Sequence, residues 1–121
     1  MNDYKIIIDA AHGGQDYGET LKNFEEKDYC LYLSNQLVIA LKKENLNVQT
    51  TREKDINLEP SKRIEKIRKM ITNSNKTIIL SIHSHFDNEF TNIIDSKNDT
   101  TNLANIIYKN LKKENIKVIE P

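Results

Sequence analysis

The chain has 121 residues, of which 37% are hydrophobic and 30% are charged, and 18 basic residues balance 18 acidic ones. This length suits one hydrophobic core, and the composition excludes a disordered or fibrous protein. The balanced charge gives no indication of a nucleic-acid or membrane partner. We therefore expect one globular domain over residues 1–121 that binds neither nucleic acid nor a membrane.

The first predicted elements alternate between strand and helix. "YKIIID" is a short apolar run of the kind that forms a strand buried on both faces. An amphipathic helix is predicted from about Glu25 to Lys43, because apolar residues recur there at spacings of three and four: Cys30, Leu33, Leu37 and Leu41. "NLNVQTT" is the second predicted strand.

The second half of the chain continues the alternation. A helix over "LEPSKRIEKIRKMI", with its proline in the first turn, precedes a strand over "KTIILSIH". A helix over "TNLANIIYKNLKK", capped by Asp99 or Thr100, precedes a last strand in "NIKVIEP". Such an order predicts right-handed βαβ units. The expected fold class is therefore α/β, with a mostly parallel twisted sheet flanked by helices.

Cysteine and targeting signals add little. The single cysteine, Cys30, cannot form an internal disulfide and falls on the apolar stripe of a helix, so we expect a packed core thiol. The N-terminus lacks the pattern of a secretion signal, and no run of about eighteen apolar residues occurs. This form of the chain is expected to have neither a signal peptide nor a membrane span.

Two of the three histidines follow predicted strands. His12 lies just past "YKIIID", and His83 closes "KTIILSIH". Because ligands bind outside the carboxyl ends of the strands in open parallel sheets, both side chains are expected at the same rim. All the glycines of the chain, Gly13, Gly14 and Gly18, come soon after His12, where they allow a sharp turn that directs the imidazole into the crevice.

A metal site at this rim would need a further ligand. A catalytic zinc ion takes three protein ligands, with His and Glu among the common ones, and keeps one position for water. "FEEKD" offers Glu25 and Glu26 at the start of the first long helix. The helix dipole alone also favours acidic residues there, so spacing does not choose between the two glutamates or establish either as a ligand.

The motifs "IIIDAAHGGQDYG", "EEKD", "TREKD" and "ILSIHSH" follow one another in this chain, and from Tyr4 to about Leu111 it resembles the zinc-dependent N-acetylmuramoyl-L-alanine amidases of the amidase-3 type. The resemblance implies that His12, Glu26 and His83 bind zinc. It also implies a hydrolase, outside the cell or in the cell wall, that cleaves the amide bond between N-acetylmuramic acid and L-alanine of peptidoglycan. We expect a monomer, with Arg63 as a charged structural partner.

Two positions and the C-terminal segment depart from the family's pattern. Ala11 replaces a glycine. His85 replaces a common asparagine, and it could support a ligand, act as a further ligand or be a polar residue of the rim, which we favour. The family's general base is a glutamate on a strand beyond the last long helix. Here the chain ends in "IKVIEP", so either that strand is missing or Glu120 supplies the base, and we favour a solvent-facing end residue. The catalytic residue therefore stays unassigned.

Two other functions are considered. The missing strand is compatible with a catalytically inactive module, derived from such an amidase, that binds zinc or the cell wall. A glycine-containing loop between a strand and a helix also occurs in nucleotide-binding domains. That function is disfavoured, because "HGGQDYG" matches neither Gly-x-Gly-x-x-Gly nor the phosphate loop that ends in Gly-Lys-Ser/Thr.

Overall fold

The computed structural model of the chain describes residues 3–85, 92–93 and 102–119. It divides into two compact units, residues 1–86 and residues 87–121. The α/β class predicted from the sequence is confirmed, since helices alternate with strands of a parallel sheet. That residues 1–121 form one catalytic domain stays a prediction. Within the described ranges, no helix has the length and apolar character needed to cross a membrane.

The first unit contains most of the regular structure. Its elements in chain order are β1 (Lys5–Ala10), β2 (Thr20–Leu21), β3 (Phe24–Glu25), α1 (Glu26–Lys43), β4 (Asn47–Thr50), α2 (Pro60–Met70), a short 3-10 helix (Ser74–Lys76) and β5 (Thr77–Ile82). The long elements match the segments that the hydrophobic pattern predicts, except that β1 continues to Ala10, one residue beyond the predicted strand. The hairpin of β2 and β3 was not predicted, because two-residue strands are too short for a recognisable alternation of apolar and polar residues.

A three-stranded sheet with the order β4-β1-β5 forms the centre of this unit. Both neighbours pair with β1 in parallel, with Ile6 opposite Val48 on one side and Ile78 on the other. The isoleucines of β1 explain its central position, because Ile7 and Ile8 are completely buried. Burying one such side chain stabilises the fold by about 2–3 kcal/mol. The chain therefore places its most apolar strand where both faces and both edges are covered.

One face of the sheet packs against α1. Ile6, Ile8 and Val48 form its buried cluster, against which Leu37 and Leu41 of the helix pack. Cys30 lies in the helix with no exposed surface, as expected of a core thiol, and burial raises its pKa to about 11. The apolar stripe predicted for α1 is only partly buried, since Leu33 is 37% exposed, and Ile64 of α2 is 51% exposed.

The second unit consists of β6 (Asn92–Ile93), α3 (Leu103–Lys113) and β7 (Val118–Ile119), with β6 and β7 paired in parallel. α3 and β7 confirm the helix and the strand predicted near the end of the chain. The predicted caps Asp99 and Thr100, and also Glu120, lie outside the described residues. Asn102, in a left-handed conformation, is the residue immediately before α3.

Candidate metal centre

Strand pairing brings the two predicted histidine ligands to one edge of the sheet. Ala10 and Ile82 are partners at the carboxyl ends of β1 and β5, and the backbone N–H of Ala11 donates to the carbonyl oxygen of Ile82 over 3.1 Å. His12 and His83 follow within two residues. Their rings are perpendicular, with centroids 5.7 Å apart. Both side chains therefore lie at the carboxyl edge of the sheet, as the strand-end argument predicts.

Glu26 lies between the two rings. It is the first residue of α1, and its side chain is only 4% exposed. Its Oε2 is 3.1 Å from Nε2 of His12, and its Oε1 is 3.5 Å from Nδ1 of His83. The three residues each offer a ligand atom, and these atoms all lie within 4.8 Å of one another. The structure thus brings together the three residues that were expected to form the site.

Backbone amides hold the Glu26 side chain in place. The N–H of Glu19 donates to Oε2 over 2.8 Å, and the N–H of Ser84 donates to Oε1 over 3.0 Å. Burial raises the pKa of Glu26, but these two amides and the nearby rings of His12 and His83 outweigh burial, so the pKa lies below its usual value. Glu26 is therefore a carboxylate at neutral pH, which is the form that binds a cation.

Asp16 determines which nitrogen of His12 faces the cluster. Its Oδ2 accepts a hydrogen bond from Nδ1 of His12 over 2.9 Å, and its Oδ1 accepts one from the N–H of Gly18 over 3.2 Å. A carboxylate only accepts hydrogen bonds, so Nδ1 carries a proton, and in the neutral ring, the form that binds a metal ion, Nε2 is the nitrogen with a free lone pair. Such a partner fixes both the tautomer and the ring orientation of a ligand histidine.

The glycine-rich loop is shaped by the space between the ligands. Gly18 has a φ of 67°, and a Cβ built on it would lie 2.5 Å from Oε2 of Glu26 and 2.6 Å from Cδ2 of His12. A side chain at this position would therefore displace both groups. His12 itself has a φ of 61°, whereas Ala11 is not among the residues with positive φ. This explains why an alanine is tolerated before the histidine.

The loop is tied to its surroundings through charged side chains. Lys27 donates from Nζ to the carbonyl oxygen of Gly14 and to Oδ2 of Asp55, both over 2.8 Å, while Oδ1 of Asp55 accepts from the N–H of Gly14 over 2.7 Å. The hydrogen bond to Asp55 raises the pKa of Lys27. This three-membered network joins the loop after β1 to the first turn of α1 and to the segment after β4.

Arg63 supports the same loop from α2. Its Nη1 is 2.5 Å from Oδ1 of Asp9, and its Nη2 donates to the carbonyl oxygen of His12 over 2.9 Å. Asp9 also accepts from Thr51 and Ser81, over 2.8 Å each. Arg63 is thus the charged structural partner that the sequence suggested, and it fixes the peptide that carries a candidate ligand.

The other candidates occupy different positions. Glu25 has a 36% exposed side chain that forms an ion pair with Nζ of Lys27 at 3.7 Å, and of the two glutamates only Glu26 belongs to the cluster. His85 is 69% exposed and donates from Nδ1 to Oε1 of Glu19 over 2.8 Å. His85 does not belong to the cluster of His12, Glu26 and His83. Glu120 lies outside the described residues, so its expected role is not tested.

Sequence reasoning missed several residues that build the site. Asp16 was not singled out, although its position four residues after His12 could have suggested a hydrogen bond to the ring. Lys27 and Asp55 lie far apart in the sequence, and no local pattern connects them. Gly18 was attributed to the turn, whereas the structure shows that it also leaves room for two side chains.

The donor set fits a divalent metal ion, and zinc in particular. Two atoms bound about 2.1 Å from one tetrahedral zinc ion lie roughly 3.4 Å apart. The separations of Glu26 from His12 and from His83, 3.1 and 3.5 Å, are close to that value. Two neutral imidazoles and one carboxylate are also a common ligand set of catalytic zinc sites.

An α/β chain that carries such a cluster at the edge of a parallel sheet has the features of a metal-dependent hydrolase. The chain belongs to the N-acetylmuramoyl-L-alanine amidase family, whose sequence profile matches residues 6–119. The probable cell wall amidase LytH of Staphylococcus saprophyticus is 40% identical over 58 residues, which are 46% of this chain and 20% of that protein.

Solved structures of amidases share the fold. The catalytic domain of CwlV, an N-acetylmuramoyl-L-alanine amidase from Bacillus (Paenibacillus) polymyxa var. colistinus, superposes with a TM-score of 0.73 at 20% identity, covering 98% of this chain and 71% of that one. The CwlD amidase from Clostridioides difficile, solved in complex with the GerS lipoprotein, superposes with a TM-score of 0.71 at 26% identity. The match covers 96% of this chain and 71% of that one.

Proposed function

We propose that this chain is the catalytic domain of a zinc-dependent amidase that hydrolyses the amide bond between N-acetylmuramic acid and L-alanine in peptidoglycan. The observation that carries the proposal is the convergence of His12, Glu26 and His83, whose ligand atoms lie within 4.8 Å of one another. Membership of the amidase family supports the substrate class. The proposed place of action is the cell wall, outside the cell, and the proposed state is a monomer.

The residues of the chain have defined tasks in this proposal. His12, Glu26 and His83 would hold zinc, which supplies a Lewis acid that polarises the scissile carbonyl and makes water a nucleophile at neutral pH. Asp16 keeps the proton of His12 on Nδ1, so that Nε2 is free to bind. The amides of Glu19 and Ser84 keep Glu26 ionised and correctly oriented. The general base is not assigned among the described residues.

The proposal is tested first by metal content. Protein purified without added metal is expected to contain about one zinc ion per chain, and His12→Ala and His83→Ala are each expected to lose most of it, because a three-ligand site rarely survives the loss of a ligand. His85→Ala is the matched control, since it removes an exposed histidine that lies outside the cluster, and it should retain zinc. Full zinc content in both ligand variants would refute the site.

Activity is tested separately. Incubation of the zinc-loaded chain with purified peptidoglycan should release stem peptides with a new N-terminal L-alanine, and the ligand variants should release none. The second candidate function is a module that binds zinc or the cell wall without catalysis, because no general base is assigned among residues 3–85, 92–93 and 102–119. Stoichiometric zinc without peptide release would favour that module over the amidase.

A further inference from the structure

Arg52 is a buried cation whose hydrogen bonds, among the described residues, all go to backbone carbonyl oxygens. The residue is 1% exposed. Its Nε donates to Ala10 and its Nη1 to Lys54, over 3.1 Å each, while its Nη2 donates to Ala11 over 2.8 Å and to Lys27 over 2.9 Å. Removing a guanidinium group from water is costly, and carbonyl oxygens compensate for this only when the geometry is good.

The two acceptors of Nη2 are neighbours of candidate ligands. Ala11 immediately precedes His12, and Lys27 immediately follows Glu26. One nitrogen atom thus joins the carbonyl oxygen of the residue before the first ligand to the carbonyl oxygen of the residue after the second ligand. The joined segments are the end of β1 and the start of α1, and along the chain the whole glycine-rich loop lies between them.

We propose that Arg52 is a positioning residue of the metal centre, which sets the spacing between His12 and Glu26. This inference rests on the proposed function, because the spacing matters only if both side chains bind one ion. The atoms whose separation it sets are Nε2 of His12 and Oε2 of Glu26, at 3.1 Å. Through the carbonyl oxygens, Arg52 acts on the backbone and leaves the ligand side chains free to bind.

Arginine is suited to this task and lysine is not. The guanidinium group is planar, and its N–H groups point in fixed directions, so it can hold several acceptors at defined separations. An ammonium group is a point charge on a flexible stem. Arg63 offers an informative contrast, since it contacts the carbonyl oxygens of Ala10 and His12, whereas Lys27 is a partner of Arg52. Of the two arginines, Arg52 is therefore the one that links both ligand-bearing segments.

The test compares Arg52→Lys with the parent in zinc affinity, measured by competition with a chelator, and in the visible absorption spectrum of the cobalt-substituted protein. We expect zinc to bind about 10–100-fold more weakly, the range typical for loss of a group that orients ligands. We also expect the cobalt bands to shift, because the ligand geometry changes. Ile6→Ala is the control: it removes core packing at the start of β1, the opposite end of that strand from His12, and should lower the melting temperature while leaving affinity and spectrum unchanged.

Each result has a defined meaning. If the parent binds no zinc, the proposed function is wrong, and the role of Arg52 is wrong with it. If the parent binds zinc and Arg52→Lys has the same affinity and the same cobalt spectrum, only the role of Arg52 is wrong. Arg52→Gln, which avoids burying a misplaced charge, is the second variant. If neither Arg52→Lys nor Arg52→Gln folds in the absence of metal, the positioning role is overturned, because Arg52 is then required for the fold as a whole.

Discussion

Replacing Gly18 by alanine is the sharpest single test of how the candidate metal centre is built. A Cβ at this position would lie 2.5 Å from Oε2 of Glu26, 2.6 Å from Cδ2 of His12 and 2.8 Å from Cβ of Glu26. Because Oε2 of Glu26 and Nε2 of His12 are themselves only 3.1 Å apart, neither side chain can move away without changing the ligand geometry. We therefore expect Gly18→Ala to damage both stability and metal binding.

The magnitude follows from two contributions. Gly18 has a φ of 67°, and an alanine in this left-handed region costs about 1–2 kcal/mol. Overpacking by one methyl group in a closely packed site costs a further 1–3 kcal/mol, roughly. We expect unfolding free energy to fall by about 3 kcal/mol in metal-free protein. Zinc affinity should fall about 100-fold, since two of the three candidate ligands are displaced.

Urea denaturation of the metal-free protein and chelator competition measure the two effects. Asn45→Ala is a control for backbone strain alone, because Asn45 has a φ of 60° and lies just beyond the end of α1, whereas the site lies at its beginning. It should lower stability by about 1 kcal/mol and leave zinc affinity unchanged. The reasoning is refuted if Gly18→Ala binds zinc as tightly as the parent and is no less stable than Asn45→Ala.

Three further predictions concern other parts of the first unit. Asp9→Asn should lower the free energy of unfolding at pH 7 by about 3 kcal/mol, because it leaves Arg63 buried without its carboxylate. Burial raises the pKa of Asp9, but hydrogen bonds from Arg63, Thr51 and Ser81 outweigh burial and hold the pKa below its usual value. The stabilisation by the Asp9–Arg63 ion pair is therefore present above about pH 4, and it is lost as the pH falls through the pKa of Asp9 in the folded state. Urea denaturation at pH 7 and pH 3 should show a smaller difference in unfolding free energy between parent and variant at pH 3. An equal difference at both pH values would contradict a stabilising ion pair between Asp9 and Arg63. Cys30, with a pKa of about 11, should react with iodoacetamide at pH 8 only after unfolding, and rapid labelling of the native protein would be inconsistent with its burial. Ser34→Ala should raise the free energy of unfolding by about 0.5–1 kcal/mol in urea denaturation. The reason is that the Ser34 hydroxyl is buried without a hydrogen-bond partner among the described residues, and alanine favours the helix. A less stable variant would contradict this reasoning and show that the hydroxyl has a partner.

The long elements of the fold were predictable because their patterns extend over many residues. The run from Ile6 to Ile8 identifies a buried strand, and the helical spacing of Cys30, Leu37 and Leu41 extends over three turns. The hairpin of β2 and β3 was not predictable, since its pairs are two residues long. The hydrogen bond from the N–H of Glu26 to the carbonyl oxygen of Glu19 extends this pairing, so the hairpin leads directly into α1.

The two candidate histidine ligands could be placed at strand ends and the glutamates at a helix start from the sequence, but the environment of these side chains could not be predicted. Family resemblance chose Glu26 over Glu25, and the structure supplies the physical reason: Glu26 is buried between two imidazoles and accepts two backbone amides. Asp55 and Arg52 act through backbone atoms of residues 41 or 42 positions away in the chain. Backbone donors and acceptors leave no trace in the sequence, so such partners emerge only with the coordinates.

The backbone around His12 shows why this support is needed. A φ of 61° at a residue with a Cβ costs on the order of 1–2 kcal/mol, and it persists only where surrounding contacts require it. Three successive carbonyl oxygens, those of Ala10, Ala11 and His12, each accept from Arg52, from Arg63 or from both. The two guanidinium groups thus fix the orientation of every peptide unit leading into and out of the strained residue. It follows that the first candidate ligand is held in its binding orientation by the protein itself, so that a metal ion would not have to supply the free energy to create that orientation.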